Sequence, residues 1–353
     1  MTDSVSASAP PSQIPSNANE HCVGPQSLDA GKSTSCDGCP NQSECASGLG
    51  RQIDPAITEV AVRLADVKHI IMILSGKGGV GKSTVTSQTA YSLSSLGYSV
   101  GVLDIDICGP SIPRMMGVEN DEVRKSNYGW SPVYVNDNLC VMSIAFMLGT
   151  RSDAVIWRGP RKNGLIKQFL TDVDWGKLDF LLIDSPPGTS DEHLSIVNYL
   201  SGCTVDGAII VTTPQEISLL DVRKEINFCK KTDINILGVV ENMSGFVCPC
   251  CSTKSDIFKG STGGAAQMCT DMSVKLIGEL TLDPNMLYSC ENGLCYVDTY
   301  PQSTGVPAFN TYIDNLLSST TKLQQTKQLP INQVTMKHTD ENELKRDETT
   351  VAK

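Results

Sequence analysis

Gly76-Lys77-Gly78-Gly79-Val80-Gly81-Lys82-Ser83-Thr84 is a glycine loop carrying two lysines and ending in two hydroxyl residues. It follows an apolar run, His69-Ile70-Ile71-Met72-Ile73-Leu74, with the length and composition of a buried parallel strand. It precedes Thr86 to Leu96, a polar and apolar mix of helical length that stops at Gly97. Strand, glycine loop and helix together form the context a phosphate-binding loop requires. The glycines let backbone N–H groups turn inward around phosphate oxygens, and the helix N-terminus adds positive potential. Gly76 through Thr84 are therefore expected to cradle ATP, with Lys82 on the β- and γ-phosphates and the Ser83 hydroxyl in the Mg²⁺ shell.

A chain of 353 residues can bury a full core, as one large domain or two small ones. Its net charge of −11 argues against a nucleic-acid surface. No N-terminal apolar segment resembles a signal peptide, residues 1–20 hold no Lys or Arg, and no apolar run reaches the length of a membrane span. The expectation is a reducing, cytoplasmic setting, where clustered cysteines among the 14 present bind metal or do redox chemistry more often than they form bridges.

Apolar runs at Ser99–Leu103, Leu178–Ile183, Gly207–Val211 and Ile236–Val240 read as further strands, with a shorter one around Cys140–Ala145. Helices are expected from Arg158-Gly159-Pro160-Arg161 to Leu170, from Ile217 to Lys230, and from about Pro307 to Leu317. The pattern predicts an α/β fold, a mostly parallel sheet with helices on both faces. Carboxylates at the carboxyl ends of such strands sit where ligands bind. Asp184, in Asp184-Ser185-Pro186-Pro187-Gly188, fits the residue that orients the waters of Mg²⁺, and Gly188 would offer a backbone N–H to the γ-phosphate. Asp104 either caps a turn or joins the site, and Asn242 at another strand end can hydrogen-bond an adenine edge.

Two cysteine sets stand apart. Cys22, Cys36, Cys39 and Cys45 form a C-x13-C-x2-C-x5-C array in a Gly- and Pro-rich segment with almost no core of its own. Four soft thiolates closing on one centre would replace that core with ligand bonds, and both zinc and an iron–sulfur cluster accept such a set. His21 is a possible substitute ligand. The second set is Cys248 and Cys251 in Cys248-Pro249-Cys250-Cys251, a pair too few for a closed centre. A two-fold dimer would complete the count with the partner's identical pair. Cys250 is an unexplained extra thiol, Cys108 is read as a packed small residue, and Cys140, Cys203, Cys229, Cys269, Cys290 and Cys295 as mostly packed hydrophobes. Residues 1–20 and the polar segment 319–353 are expected to be disordered, flanking a cysteine segment at 21–50 and an ATPase domain at 51–318.

Lys77, directly after the first glycine, resembles the extra lysine of the signature-lysine P-loop ATPases, which include MinD-like, ParA-like and nitrogenase-iron-protein-like groups. With both cysteine sets added, the chain resembles the Mrp/Nbp-type ATPases over roughly residues 20–318, in particular the longer branch, a cytosolic iron–sulfur assembly scaffold with an N-terminal four-cysteine extension. The resemblance implies that Lys77 reaches the nucleotide of a partner subunit and that Asp106 stands beside the attacking water and metal. It implies one [4Fe–4S] cluster on Cys22, Cys36, Cys39 and Cys45, and a labile one bridged between subunits by Cys248 and Cys251. It further implies a homodimer or a hetero-oligomer with a shorter paralogous ATPase, with apoproteins as cluster acceptors. Cys250 and the long polar tail depart from the family pattern. The competing readings are a MinD/ParA-like positioning ATPase with a zinc arm, and an ATP-linked iron–sulfur reductase.

Overall fold

The computed structural model describes residues 17–19, 21–24, 29–47, 54–107, 109–147, 159–258 and 263–328, within two compact units, 1–58 and 59–353. The expectations for residues 1–16, Cys108, Arg158 and 329–353 lie outside the described residues.

The first unit is held by local turns rather than by a core. Cys36 donates its N–H to Ser33, Cys39 to Cys36, and Cys45 to Asn41 at 2.9–3.1 Å, the last inside helix α1, Gln42–Ser47. The Asn19 amide donates to the carbonyls of Ser35 and Asp37 at 3.0 and 3.2 Å, which ties the Cys22 side of the arm to the Cys36 turn. Gly31 lies so close to α1 that a Cβ would stand 2.3 Å from the Ala46 nitrogen, so only glycine fits there. Helix α2, Pro55–Arg63, leads out of this unit.

The second unit is built on strands β1 (Val67–Leu74), β2 (Val100–Asp104), β3 (Arg124–Ser126), β4 (Gly129–Ser131), β5 (Val133–Asn136), β6 (Leu139–Ser143), β7 (Leu178–Asp184), β8 (Gly207–Thr212), β9 (Ile236–Val247), β10 (Lys254–Ser255) and β11 (Leu276–Leu282). The main sheet runs β10-β9-β8-β1-β7-β2-β6-β5, with β11 also on β9; only β5 and β10 pair antiparallel, while β3 and β4 form a separate hairpin. Its helices are α3 (Lys82–Ser95), α4 (Ile112–Met115), α5 (Gly159–Asp172), α6 (Asp191–Leu200), α7 (Glu216–Lys231), α8 (Gly264–Met272), α9 (Pro284–Asn292), α10 (Tyr296–Thr299) and α11 (Val306–Gln328). Every central strand is buried on both faces, which is why its sequence reads as an unbroken apolar run. Ile70, Met72 and Leu74 enter the layer that holds Phe169, Leu219 and Met268, whereas Ile71 and Ile73 enter the layer that holds Val85, Leu93 and Phe309. Alternate side chains of one strand thus nail both helix layers to the sheet.

Helix α3 is enclosed on all sides, yet it carries Thr86, Ser87, Gln88 and Thr89 as buried residues. The polar groups are matched by tertiary partners: Gln88 donates to the Leu294 carbonyl at 3.1 Å and accepts the Tyr296 N–H at 2.8 Å, and Thr89 meets the Tyr312 hydroxyl at 3.1 Å. Cys140, Cys229, Cys269 and Cys290 are buried as expected of packed small residues, and Cys203 and Cys295 are half-buried. Among the described residues no helix is long and apolar enough to cross a membrane.

The last helix does not stop near Leu317: α11 runs through Gln328, so the polar segment expected to be disordered from 319 begins as helix. Its hydroxyl residues bond back to their own helix, Ser319 to the Asn315 carbonyl and Thr321 to the Leu317 carbonyl at 2.8 and 2.9 Å. Such bonds do not themselves favour a helix; Thr320, buried at 1% exposure, is what ties this turn to the body of the unit.

Glu225 on α7 is fully buried, and neither carboxyl oxygen has a hydrogen-bond partner. Burial alone pushes its pKa up from 4.5 to about 8. A carboxyl raised in the folded state keeps a proton that the unfolded chain has released, so its contribution to stability falls as pH rises from 4.5 toward 8. Glu225→Gln is expected to remove that slope: similar melting at pH 5, and a gain of about 3 kcal/mol at pH 7, from 1.36 kcal/mol per unit over that window. Parallel wild-type and variant stability curves from pH 5 to 8 would contradict it.

Candidate functional site

Strands β2, β7 and β1 lie side by side and parallel, and their register aligns Asp104 with Asp184 and Asp184 with Ile73. The loop after β1 therefore rises over the ends of its two neighbours. A cavity of about 270 Å³ lies there, lined by Ser75, the loop from Lys77 to Thr84, Asp106, Ser111, Met115 and Pro187. The phosphate-loop residues, Asp106 and the turn after Asp184 thus come together as the sequence reading expected.

Asp184 is wholly buried and accepts three bonds: from Lys82 Nζ and Ser83 Oγ, each at 2.7 Å to Oδ2, and from Thr86 Oγ1 at 2.6 Å to Oδ1. The ammonium and hydroxyl expected on phosphate and Mg²⁺ are both held by this one carboxylate. Thr86 was not singled out from the sequence; its position one turn after Lys82, on the same helix face, is the signal that could have found it.

Asp104 is also wholly buried. Burial and then the Asp184 charge push its pKa up to about 8, against the pull of Lys82, the Ser143 hydroxyl at 3.0 Å and the Asp106 N–H at 3.1 Å. Around neutral pH Asp104 holds its proton beside Asp184 and Lys82. Asp104 therefore caps the turn that presents Asp106, and Ser143 is a second residue that sequence reasoning missed.

Gly188 has φ 79° and donates its N–H to the Ser75 carbonyl at 2.7 Å. Lys77 is half-buried on the cavity rim, with no side-chain hydrogen bond among the described residues. Asn242 lies beneath the loop: its Nδ2 donates to the Val80 carbonyl at 3.0 Å. Gly81, at φ 85°, packs on it so closely that a Cβ would fall 2.2 Å from that nitrogen. Asn242→Ala would leave a buried carbonyl without its donor, worth about 1–2 kcal/mol, so the KM for ATP is expected to rise about tenfold. An adenine-reading role makes a different prediction: selectivity for ATP over GTP would collapse, whereas support of the loop raises both KM values together.

The second cysteine set sits on a hairpin at the carboxyl end of β9, the same edge of the parallel sheet as the phosphate loop. Cys248 N–H donates to the Thr253 carbonyl at 3.1 Å, and Ser252 N–H to the Cys248 carbonyl at 2.8 Å, which closes a tight turn. Cys248 is half-buried, while Cys250 and Cys251 are exposed. The Thr253 hydroxyl, the Thr253 backbone and the Cys248 thiol together pull the Cys251 pKa down, which favours its thiolate.

In the first unit the Cys45 thiol is pushed up by burial first, and then by Cys22, Cys36, Cys39 and Glu44. Among the described residues no three His, Cys, Asp or Glu side chains stand in a closed ligating arrangement. His21 is exposed. The donor chemistry, four thiols in a segment with little core, fits a thiophilic centre.

The family described as ParA-type, NUBPL iron-transfer P-loop NTPase matches residues 66–317. A cytosolic Fe-S cluster assembly factor, the NUBP1 homolog of Brugia malayi, is 61% identical over 292 residues, covering 82% of this chain and 94% of that protein. Among solved structures, a nucleotide-binding protein from Archaeoglobus fulgidus in complex with ADP is 36% identical at a TM-score of 0.58, covering 68% of this chain and 92% of its own. The cell division ATPase MinD of Pyrococcus furiosus is 25% identical at a TM-score of 0.51, covering 71% and 98%. The chain belongs to the ParA-type NUBPL iron-transfer P-loop NTPases.

Proposed function

We propose that the chain is an ATP-dependent scaffold that assembles [4Fe–4S] clusters and passes them to cytosolic and nuclear apoproteins. The observation that carries this reading is that the phosphate loop and the exposed Cys248–Cys251 hairpin share one edge of one sheet. The Brugia malayi relative, a cytosolic Fe-S cluster assembly factor by name, supports it.

Each part has a chemical role. Lys82 and the N–H groups of Gly78 to Thr84 take the phosphates of ATP, while Ser83 and Asp184 hold Mg²⁺ and its waters. For that, Lys82 and Ser83 must leave Asp184, which already presents them to the cavity. Asp106, on the cavity wall, stands where the attacking water would enter. Lys77 reaches the nucleotide across a two-fold axis. The same axis joins the Cys248 and Cys251 pairs of two subunits into a four-thiolate site for the transferable cluster. Cys22, Cys36, Cys39 and Cys45 would hold a second, resident [4Fe–4S] cluster, which supplies ligand bonds in place of a core and a redox-active centre. The second subunit is another copy or a shorter paralogue.

Cluster transfer from anaerobically reconstituted protein to an apo [4Fe–4S] acceptor, with and without Mg-ATP, tests the coupling. Wild type is expected to respond to the nucleotide and Lys82→Ala to lose the response. Equal transfer by both, with ATP binding retained in the variant, would show the coupling to be wrong.

A further inference from the structure

Helix α6 starts seven residues after Asp184, and its third residue is His193, whose ring is wholly buried with its edge against Phe228 at 6.0 Å between centroids. Nδ1 accepts the Ser190 N–H at 3.2 Å, with the Ser190 hydroxyl 3.1 Å away. A ring nitrogen that accepts from a backbone N–H has no proton of its own, so the neutral ring carries its proton on Nε2. Burial first, and Lys82 after it, hold the ring neutral by lowering its pKa to about 4, against Glu192 and the Pro186 carbonyl. Nε2 is buried and has no hydrogen-bond partner. An orphaned buried donor is costly and calls for a physical explanation.

One acceptor lies nearby. The Pro186 carbonyl already acts on the ring as a weak acceptor but falls short of a hydrogen bond to Nε2, and it belongs to the turn between Asp184 and Gly188. In this arrangement the Gly188 N–H is spent on the Ser75 carbonyl. Turning that N–H toward a γ-phosphate requires residues 185–188 to rotate, and the Pro186 carbonyl rotates with them. We propose that His193 is a positioning residue for ATP hydrolysis, its Nε2–H taking the Pro186 carbonyl when Gly188 leaves Ser75 and so holding the turn in its hydrolytic position. One ring then does two separable jobs: Nδ1 caps α6, and Nε2 latches the turn. The inference rests on the proposed role of the Gly188 N–H in hydrolysis.

Two amide substitutions separate the jobs, since the asparagine amide reaches the Nδ1 position and the glutamine amide the Nε2 position. His193→Asn keeps an acceptor for Ser190 and removes the latch donor; His193→Gln keeps the donor and removes the cap. Melting temperature and steady-state kcat and KM with Mg-ATP are measured on the full chain. His193→Asn is expected to melt close to wild type, with kcat about tenfold lower and KM within twofold; His193→Gln is expected to melt lower and retain at least half of kcat. Unchanged kcat in His193→Asn, or kcat losses that track melting temperature in both variants, would overturn the proposal. If wild type turns over no ATP, the hydrolysis reading fails on its own. Hydrogen exchange over residues 185–189 with a non-hydrolysable ATP analogue then decides: protection in wild type that His193→Asn lacks supports the latch, and equal protection refutes it.

Discussion

Asp184→Asn is expected to lower kcat for ATP hydrolysis by about 10³-fold or more while the chain stays folded. The carboxylate gathers Lys82, Ser83 and Thr86, and an amide in its place can accept fewer bonds and carries no charge for the waters of Mg²⁺. Removing one partner of a buried ion pair ordinarily costs about 3–5 kcal/mol, because the other charge is stranded. Here the neighbouring strand supplies a substitute. Asp104 is held up to about 8 by burial and by the Asp184 charge, so removing that charge lets Asp104 ionise against Lys82. The loss in stability should then be nearer 1–2 kcal/mol. The double change of Asp104→Asn with Asp184→Asn takes away both candidates and is expected to destabilise by well over the sum of the singles. Turnover by Asp184→Asn above a tenth of wild type would remove Asp184 from the mechanism, and additive stabilities would rule out the charge exchange with Asp104.

Cys248→Ala with Cys251→Ala is expected to remove about one third of the iron from reconstituted protein, and Cys36→Ala with Cys39→Ala about two thirds. The ratio follows from the proposed stoichiometry. A cluster held within each arm brings four irons to every subunit, and a cluster shared between two subunits brings two. The two losses should also differ in kind. The hairpin pair is exposed, and its cluster would be easily released, so that variant should lose transfer to an acceptor while retaining its arm iron and ATP binding. The arm has scarcely any core, so its variant should lose order in residues 21–47 together with the iron. Equal losses in both variants would contradict two separate sites, and stoichiometric zinc without sulfide in wild type would end the cluster reading of the arm.

Much of the fold was legible in the chain itself. A parallel strand buried on both faces must be continuously apolar, so β1, β7, β8 and the first part of β9 stand out from their composition. A phosphate loop is contiguous, because its backbone wraps one ligand, so Gly76 to Thr84 announces both the site and the α/β class. Asp106 and Asp184 are legible as carboxylates at or just past the carboxyl ends of strands. The sequence by itself therefore determined the sheet, the nucleotide edge and the two sets of thiols. Only the tertiary structure decided what depends on partners far along the chain. The polar face of α3 is buried because Leu294, Tyr296 and Tyr312 answer it. Asp104 is a protonated turn cap because it is wholly buried beside Asp184. Asn242 supports the loop because β9 passes beneath Val80. His193 keeps its Nε2 unpaired because it is buried at the start of α6, with Nδ1 taken by Ser190. Local periodicity records which side of an element is buried; it holds no record of which donor finds which acceptor across more than a hundred residues, and that pairing is what sets charge and proton positions at this site.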